Sequence, residues 1–140
     1  MSKQAIAVDS PIFRGADGKS IFEKFGYSAA VRAGDFIYVA GQIGLNPDGS
    51  LPDSDETQFR NAFDRLDLIL KEAGSSLDDT VELVSYHVGL QKEGHLAGFV
   101  KVKTDYIAAP HPTWTILGID SLARPGLVIE IKAVAYAPAR

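Results

Sequence analysis

The order of apolar and polar positions divides the chain into alternating extended and helical stretches. Residues 27–42 read as two extended segments, and Arg32-Ala33-Gly34-Asp35 supplies the tight turn that joins them into a hairpin. Asn46-Pro47-Asp48-Gly49 is a second turn, because proline presets one turn dihedral and glycine tolerates a positive one. From Asp55 the period lengthens to that of a helix: Phe59, Ala62, Phe63, Leu66, Ile69, Leu70 and Ala73 share one stripe, Asp55 and Gln58 stand at capping-box spacing, and Gly74 ends the run. Residues 80–90, rich in β-branched and aromatic side chains, predict a strand. A second helix is predicted over 94–107 with Leu96, Phe99 and Val100 facing inward, stopped by Pro110 and Pro112. Strands at 114–119 and 127–137 complete the order ββαβαββ, an α+β fold with two helices on one face of a mixed sheet.

Strand side chains alternate between faces, so parity sorts them into two sets. Ile37, Val39, Val84, Tyr86, Val88, Leu117, Ile119, Leu127, Ile129 and Ile131 form an apolar set that two helices can cover. The other set mixes Phe36, Tyr38, Val81, Leu83, Trp114, Ile116 and Val128 with polar Gln42, Ser85, His87, Glu130 and Lys132. No third helix remains for that face, and an uncovered patch of this kind predicts contact with another subunit.

Composition narrows the function. At 140 residues, 46% hydrophobic and 23% charged, the chain is expected to form a single domain over residues 1–140, with no repeat or linker. A net charge of -4 argues against nucleic acid as the main partner, since its binders carry a basic face. Without cysteine there is no disulfide, thiolate nucleophile or zinc-thiolate site, and three scattered histidines show no metal-ligand spacing, so neither metal nor cofactor is expected. Phosphate-loop, GxGxxG and GxSxG signatures are absent. The start lacks the apolar segment of a signal peptide and no stretch reaches the length of a membrane span, so a cytoplasmic protein without a membrane partner is expected.

Residues 26–43, Gly26-Tyr27-Ser28-Ala29-Ala30-Val31-Arg32-Ala33-Gly34-Asp35-Phe36-Ile37-Tyr38-Val39-Ala40-Gly41-Gln42-Ile43, resemble the GPYSQAV and (S/T)GQI segment of the RidA/YjgF family of reactive enamine/imine deaminases. Val128-Ile129-Glu130-Ile131-Lys132-Ala133-Val134-Ala135 is similar to that family's closing IEIEAIA strand. The resemblance runs from about Gly26 to Tyr136. It implies a chorismate-mutase-like subunit in a homotrimer with clefts between subunits, in which a tyrosine, a backbone glycine and a water-orienting glutamate line the pocket. By position these are Tyr27, Gly41 and Glu130. The family's carboxylate-binding arginine, from its Pro-x-Arg-Ser motif, falls on Trp114 within Pro112-Thr113-Trp114-Thr115. An indole offers one N–H donor and no charge, so it does not replace a guanidinium fork. Two further departures are Val100, where the family often has asparagine, and Ala40, where it has serine or threonine.

Each of these residues carries a second reading from its chemistry alone. Glu130 is either a site carboxylate or half of a structural ion pair, Trp114 a ligand wall or a packed interface aromatic, and Tyr27 a cleft hydroxyl or a half-buried strand residue. His87 and His111 are titratable near neutral pH, with a surface-loop role the simpler reading of His111. The expectation is a hydrolase-like protein acting on a small imine, enamine or related unsaturated metabolite, with Glu130 catalytic, Tyr27, Gly41 and Trp114 substrate-binding, and specificity altered at Trp114. The alternative is a trimer that binds a small ligand without turning it over.

Overall fold

The computed structural model describes residues 2–138. Its elements are β1 (Gln4–Ile6), α1 (Ile21–Phe25), β2 (Ala30–Ala33), β3 (Phe36–Ile43), α2 (Asp55–Glu72), β4 (Thr80–Val88), α3 (His95–Tyr106), β5 (Thr113–Ile119) and β6 (Ile129–Tyr136). The predicted ββαβαββ core is present, preceded by a short strand and a five-residue helix that the apolar pattern does not show. β1 spans only three residues and exists because it pairs with β2, a tertiary contact without local periodicity.

Turns and caps set the boundaries. Ala33 pairs directly with Phe36, leaving Gly34-Asp35 as a two-residue hairpin turn. Positive φ is confined to Gly34 (61°), which identifies a type II′ turn and explains the glycine. At α2 the cap is Ser54, not Asp55: its side chain accepts a hydrogen bond from Thr57 N at 3.1 Å, while Asp55 and Glu56 place negative charge in the first turn. Gln58 therefore closes no capping box. Its side chain is buried instead, donating to Gly126 O at 2.8 Å and accepting from Val128 N at 2.9 Å, so α2 grips the backbone that leads into β6. The far end of α2 closes on Gly74 at φ 83°, with Ser75 N donating to Leu70 O.

All strands join one mixed sheet in the order β1-β2-β3-β6-β4-β5, antiparallel except for β4 and β5, which α3 connects in parallel. One face packs on α2 and α3. Phe59, Ala62, Phe63, Leu66, Ile69 and Leu70 of α2 are buried against it, and Ile37, Val39, Ile129 and Ile131 meet them from the sheet. The inward face of α3 is His95, Phe99 and Val102, whereas Leu96 and Val100 are exposed at 39% and 40%. Phe99 thus faces inward as expected, while His95 and Val102 take the inward places expected of Leu96 and Val100.

Parity in β4 and β5 runs opposite to expectation. Leu83, Ser85 and His87 are fully buried on the helix face, and Trp114 and Ile116 lie in register beside Leu83 and Ser85. Val84, Tyr86, Val88, Leu117 and Ile119 share the open face with Glu130 and Lys132. Polarity misled the assignment because the buried polar groups satisfy one another: Trp114 Nε1 donates to Ser85 Oγ, which also bonds His87 Nε2, and His87 Nδ1 bonds His95 Nε2, each at 2.8 Å. Gln42 likewise turns inward, since one extra residue in β3 between Val39 and Gln42 shifts the register with β6. The open face nevertheless keeps an exposed apolar patch of Phe36, Tyr38, Leu117 and Tyr136, with Phe36 and Tyr136 rings 5.4 Å apart.

Candidate active site

Two of the four predicted site residues, Gly41 and Glu130, meet at the bulge in β3, and a third, Tyr27, feels the Glu130 charge. Gly41 lies within the bulge, and Ile43, just beyond, pairs with Glu130 of β6. The Glu130 side chain folds back over Gly41: a Cβ added there would stand 2.8 Å from Glu130 Cδ and collide with Oε2. Only glycine leaves room for the carboxylate in this position. Tyr27 arrives from the other side. α1 is capped by Ser20, whose side chain accepts from Glu23 N, and ends at Gly26 with φ 72°, after which Tyr27 N donates to Phe22 O at 3.0 Å. Ala40 N donates to Ala29 O at 2.9 Å and ties the segment after Tyr27 to the bulge.

The electrostatics follow from burial. Glu130 is half-buried, and loss of solvation pushes its carboxyl above the usual carboxylate range. Burial, with the Glu130 charge second, pushes the Tyr27 hydroxyl up as well, so the two groups sense each other. Among the described residues no cation lies within ion-pair distance of Glu130. A carboxylate disfavoured as an anion is suited to taking a proton from water. No group of three or more His, Asp or Glu side chains among the described residues could hold a metal ion.

Trp114 does not join this cluster within the protomer. Its ring lies on the helix side of the sheet, 5.7 Å from that of Phe99, with Lys103 Nζ 5.0 Å above its centroid. His111 is exposed in the loop before β5, while His87 belongs to the buried chain. Reading residues one by one missed His95, because only the fold brings α3 against β4. It also missed Lys103, which carries no motif.

A protein-family model described as Endoribonuclease L-PSP matches residues 19–137. The chain belongs to the RidA/YjgF/L-PSP family, also called RutC. RutC family protein YjgH of Escherichia coli is 37% identical over 120 residues, covering 85% of this chain and 88% of that one. RutC family protein PYRAB12510 of Pyrococcus abyssi is 32% identical over 79% of this chain and 85% of its own. Among solved structures, protein YJGH superposes with a TM-score of 0.82 at 31% identity over the whole of both chains. RidA from an Antarctic Psychrobacter gives 0.76 at 26% identity over 95% of this chain and 98% of its own. The fold of this RidA/YjgF family member is therefore the α+β YjgF-like fold, one six-stranded mixed sheet with two main helices. No helix among the described residues is long and apolar enough to cross a membrane.

Proposed function

We propose that this RidA/YjgF protein is a hydrolase of small imines or enamines, working as a cytoplasmic homotrimer with Glu130 as its catalytic base. The observation that carries the reading is the Glu130 carboxylate seated on Gly41, raised by burial and without an ion-pair partner among the described residues, with Tyr27 sensing its charge. The chemistry needs little else. A water oxygen attacks the electrophilic iminium carbon while Glu130 takes one of its protons, and the C=N π pair moves to nitrogen to give a carbinolamine. The C–N bond then breaks as the hydroxyl loses its proton and nitrogen gains one, leaving a carbonyl compound and ammonia. Tyr27 donates a hydrogen bond to the substrate or the water, and the glycine at position 41 keeps the carboxylate in place.

Assembly follows from the open face, whose Phe36, Tyr38, Leu117 and Tyr136 would stand in water in a monomer. The family resemblance supplies the number three. Light scattering at micromolar concentration is expected to give the trimer mass, and a monomer mass would remove the inter-subunit cleft from this account.

Specificity departs from that of deaminases that hold a substrate carboxylate with arginine, because Trp114 stands at that position. Imines generated in situ from amino acids by an oxidase provide the test, with hydrolysis followed as ammonia release. Such imines keep the amino acid's carboxylate, so 2-iminopropionate and its analogues are expected to be hydrolysed poorly if at all, whereas an imine without a carboxylate does not need the missing bidentate charged contact. Failure to accelerate any imine would favour the alternative, a trimer that binds its ligand without turnover. RNA is the less suitable substrate because the chain is acidic overall, at -4.

A further inference from the structure

We propose that the cavity between α2 and the turn that follows β3 binds a small apolar α-amino acid, Arg65 taking its carboxylate and Asp64 its ammonium. Asn61, Asp64, Arg65 and Leu68 stand at i, i+3, i+4 and i+7, so they share one stripe of α2, and all four line this cavity of about 220 Å³. Ile12, Leu45 and Pro47 join Leu68 to make the rest of its wall apolar. Tyr27, Gly41 and Glu130 take no part in it.

Arg65 calls for an anion. It is only 6% exposed, yet among the described residues no carboxylate lies within ion-pair distance of it. Its Nη2 donates to Leu45 O at 3.2 Å and Asn46 O at 3.4 Å, while Nε and Nη1 have no partner among the described residues. Those N–H groups are not sealed inside the protein, where Thr80 Oγ1 is the one unpartnered side-chain atom among the described residues, so they open on the cavity that Arg65 lines. Burial lowers the pKa of Arg65 and no carboxylate opposes the shift. A guanidinium kept this dry without a counter-charge gains by meeting one. Its Cζ rests 5.4 Å from the centroid of the buried Phe13 ring, which together with the two carbonyls holds it in place before any ligand arrives.

The neighbouring carboxylate supplies the opposite charge. Asp64 is exposed at the rim, its Oδ1 accepts from the Tyr106 hydroxyl at 2.8 Å, and among the described residues no cation lies within ion-pair distance of it. A cavity with one unpaired cation, one unpaired anion and aliphatic walls selects a ligand that carries both charges and an aliphatic chain. The far wall is built beforehand: Asn61 Nδ2 donates to Gly44 O at 3.3 Å and Asn46 Oδ1 at 3.1 Å, and Asn46 N donates to Ser50 O at 2.9 Å. Little ordering is then left for the ligand to bring about.

Calorimetric titration of the full-length protein with L-norleucine tests this, beside hexanoate, which lacks the ammonium, and pentylamine, which lacks the carboxylate. Norleucine is expected to bind wild type saturably, and each of the other two about tenfold more weakly, the loss of one charge-assisted contact. Arg65→Gln is expected to abolish norleucine binding. Because Arg65 also tethers residues 45 and 46, the second variant is Asp64→Asn, an exposed position whose amide oxygen still accepts from Tyr106. It is expected to weaken norleucine about tenfold and to leave hexanoate unchanged or tighter. No binding of norleucine to wild type, equal affinities for norleucine and hexanoate, or an unchanged norleucine affinity in Asp64→Asn would each overturn the proposal. Binding is read without turnover, and Glu130→Gln protein is expected to give the same curve, so this inference and the proposed hydrolysis fail separately.

Discussion

Acidification from pH 7 to pH 4 is expected to cost the folded protein about 3 kcal/mol through His87 alone. His87 is fully buried, and burial, with the neighbouring His95 second, lowers its pKa from 6.5 to about 4. That displacement, at about 1.4 kcal/mol per pH unit, sets the size. In the unfolded chain the imidazole takes up its proton as pH falls through 6.5, whereas in the folded protein it stays neutral until about 4. The unfolded state thus binds more protons across this window, and stability falls with falling pH. His95, also held low chiefly by burial, acts in the same direction. Glu130 acts in the opposite direction, because its carboxyl is raised and protonation relieves the folded state.

The single proton shared between two buried rings explains why charging both is disruptive. An indole N–H can only donate, so Ser85 Oγ accepts from Trp114 and keeps both a proton and a second lone pair for His87 Nε2. Between neutral rings a single proton joins His87 Nδ1 and His95 Nε2, and either tautomer of His87 satisfies the Ser85 contact. With both rings protonated, two N–H groups would face each other across that contact. Denaturant unfolding followed by Trp114 emission, at fixed protein concentration from pH 7 to pH 4, checks this. Wild type is expected to lose stability mainly below pH 6.5, and His87→Gln to show a flatter profile. A wild-type profile that stays level to pH 4.5 would show that the pair is not held neutral.

The same chain marks where sequence reading reaches its limit. The α2 stripe was legible because one amphipathic period specifies both the helix and its buried face. The hairpin was legible because Gly34 satisfies a backbone demand that few other residues meet. Tyr27, Gly41 and Glu130 could be picked out only as a pattern of positions, and the bulge that brings Glu130 over Gly41 leaves no local signal beyond the glycine itself. Ser85 and His87 looked like a polar, outward set because their partners, Trp114 and His95, lie 29 and 8 residues away. Buried polar groups that pair with each other defeat a rule that equates polarity with exposure. β1 and the Lys103 contact were invisible for a related reason, since both depend on neighbours distant in sequence.

Glu130→Gln is expected to remove hydrolytic activity by at least about 100-fold, the range of a lost general base, while leaving the fold intact. The amide is nearly isosteric and still fits over Gly41. The ionised carboxylate is disfavoured by burial in the folded state, so neutralising it at pH 7 should hold or raise stability. A structural ion pair would behave in the opposite way, because removing Glu130 would strand a buried cation and cost roughly 3–5 kcal/mol. Thermal melting and the imine assay, run side by side on wild type and Glu130→Gln at pH 7, therefore test the central claim most directly. The account predicts an unchanged or higher melting temperature, an unchanged oligomer mass and no hydrolysis above background. Full activity in the variant, or a lower melting temperature with a disrupted oligomer, would contradict it.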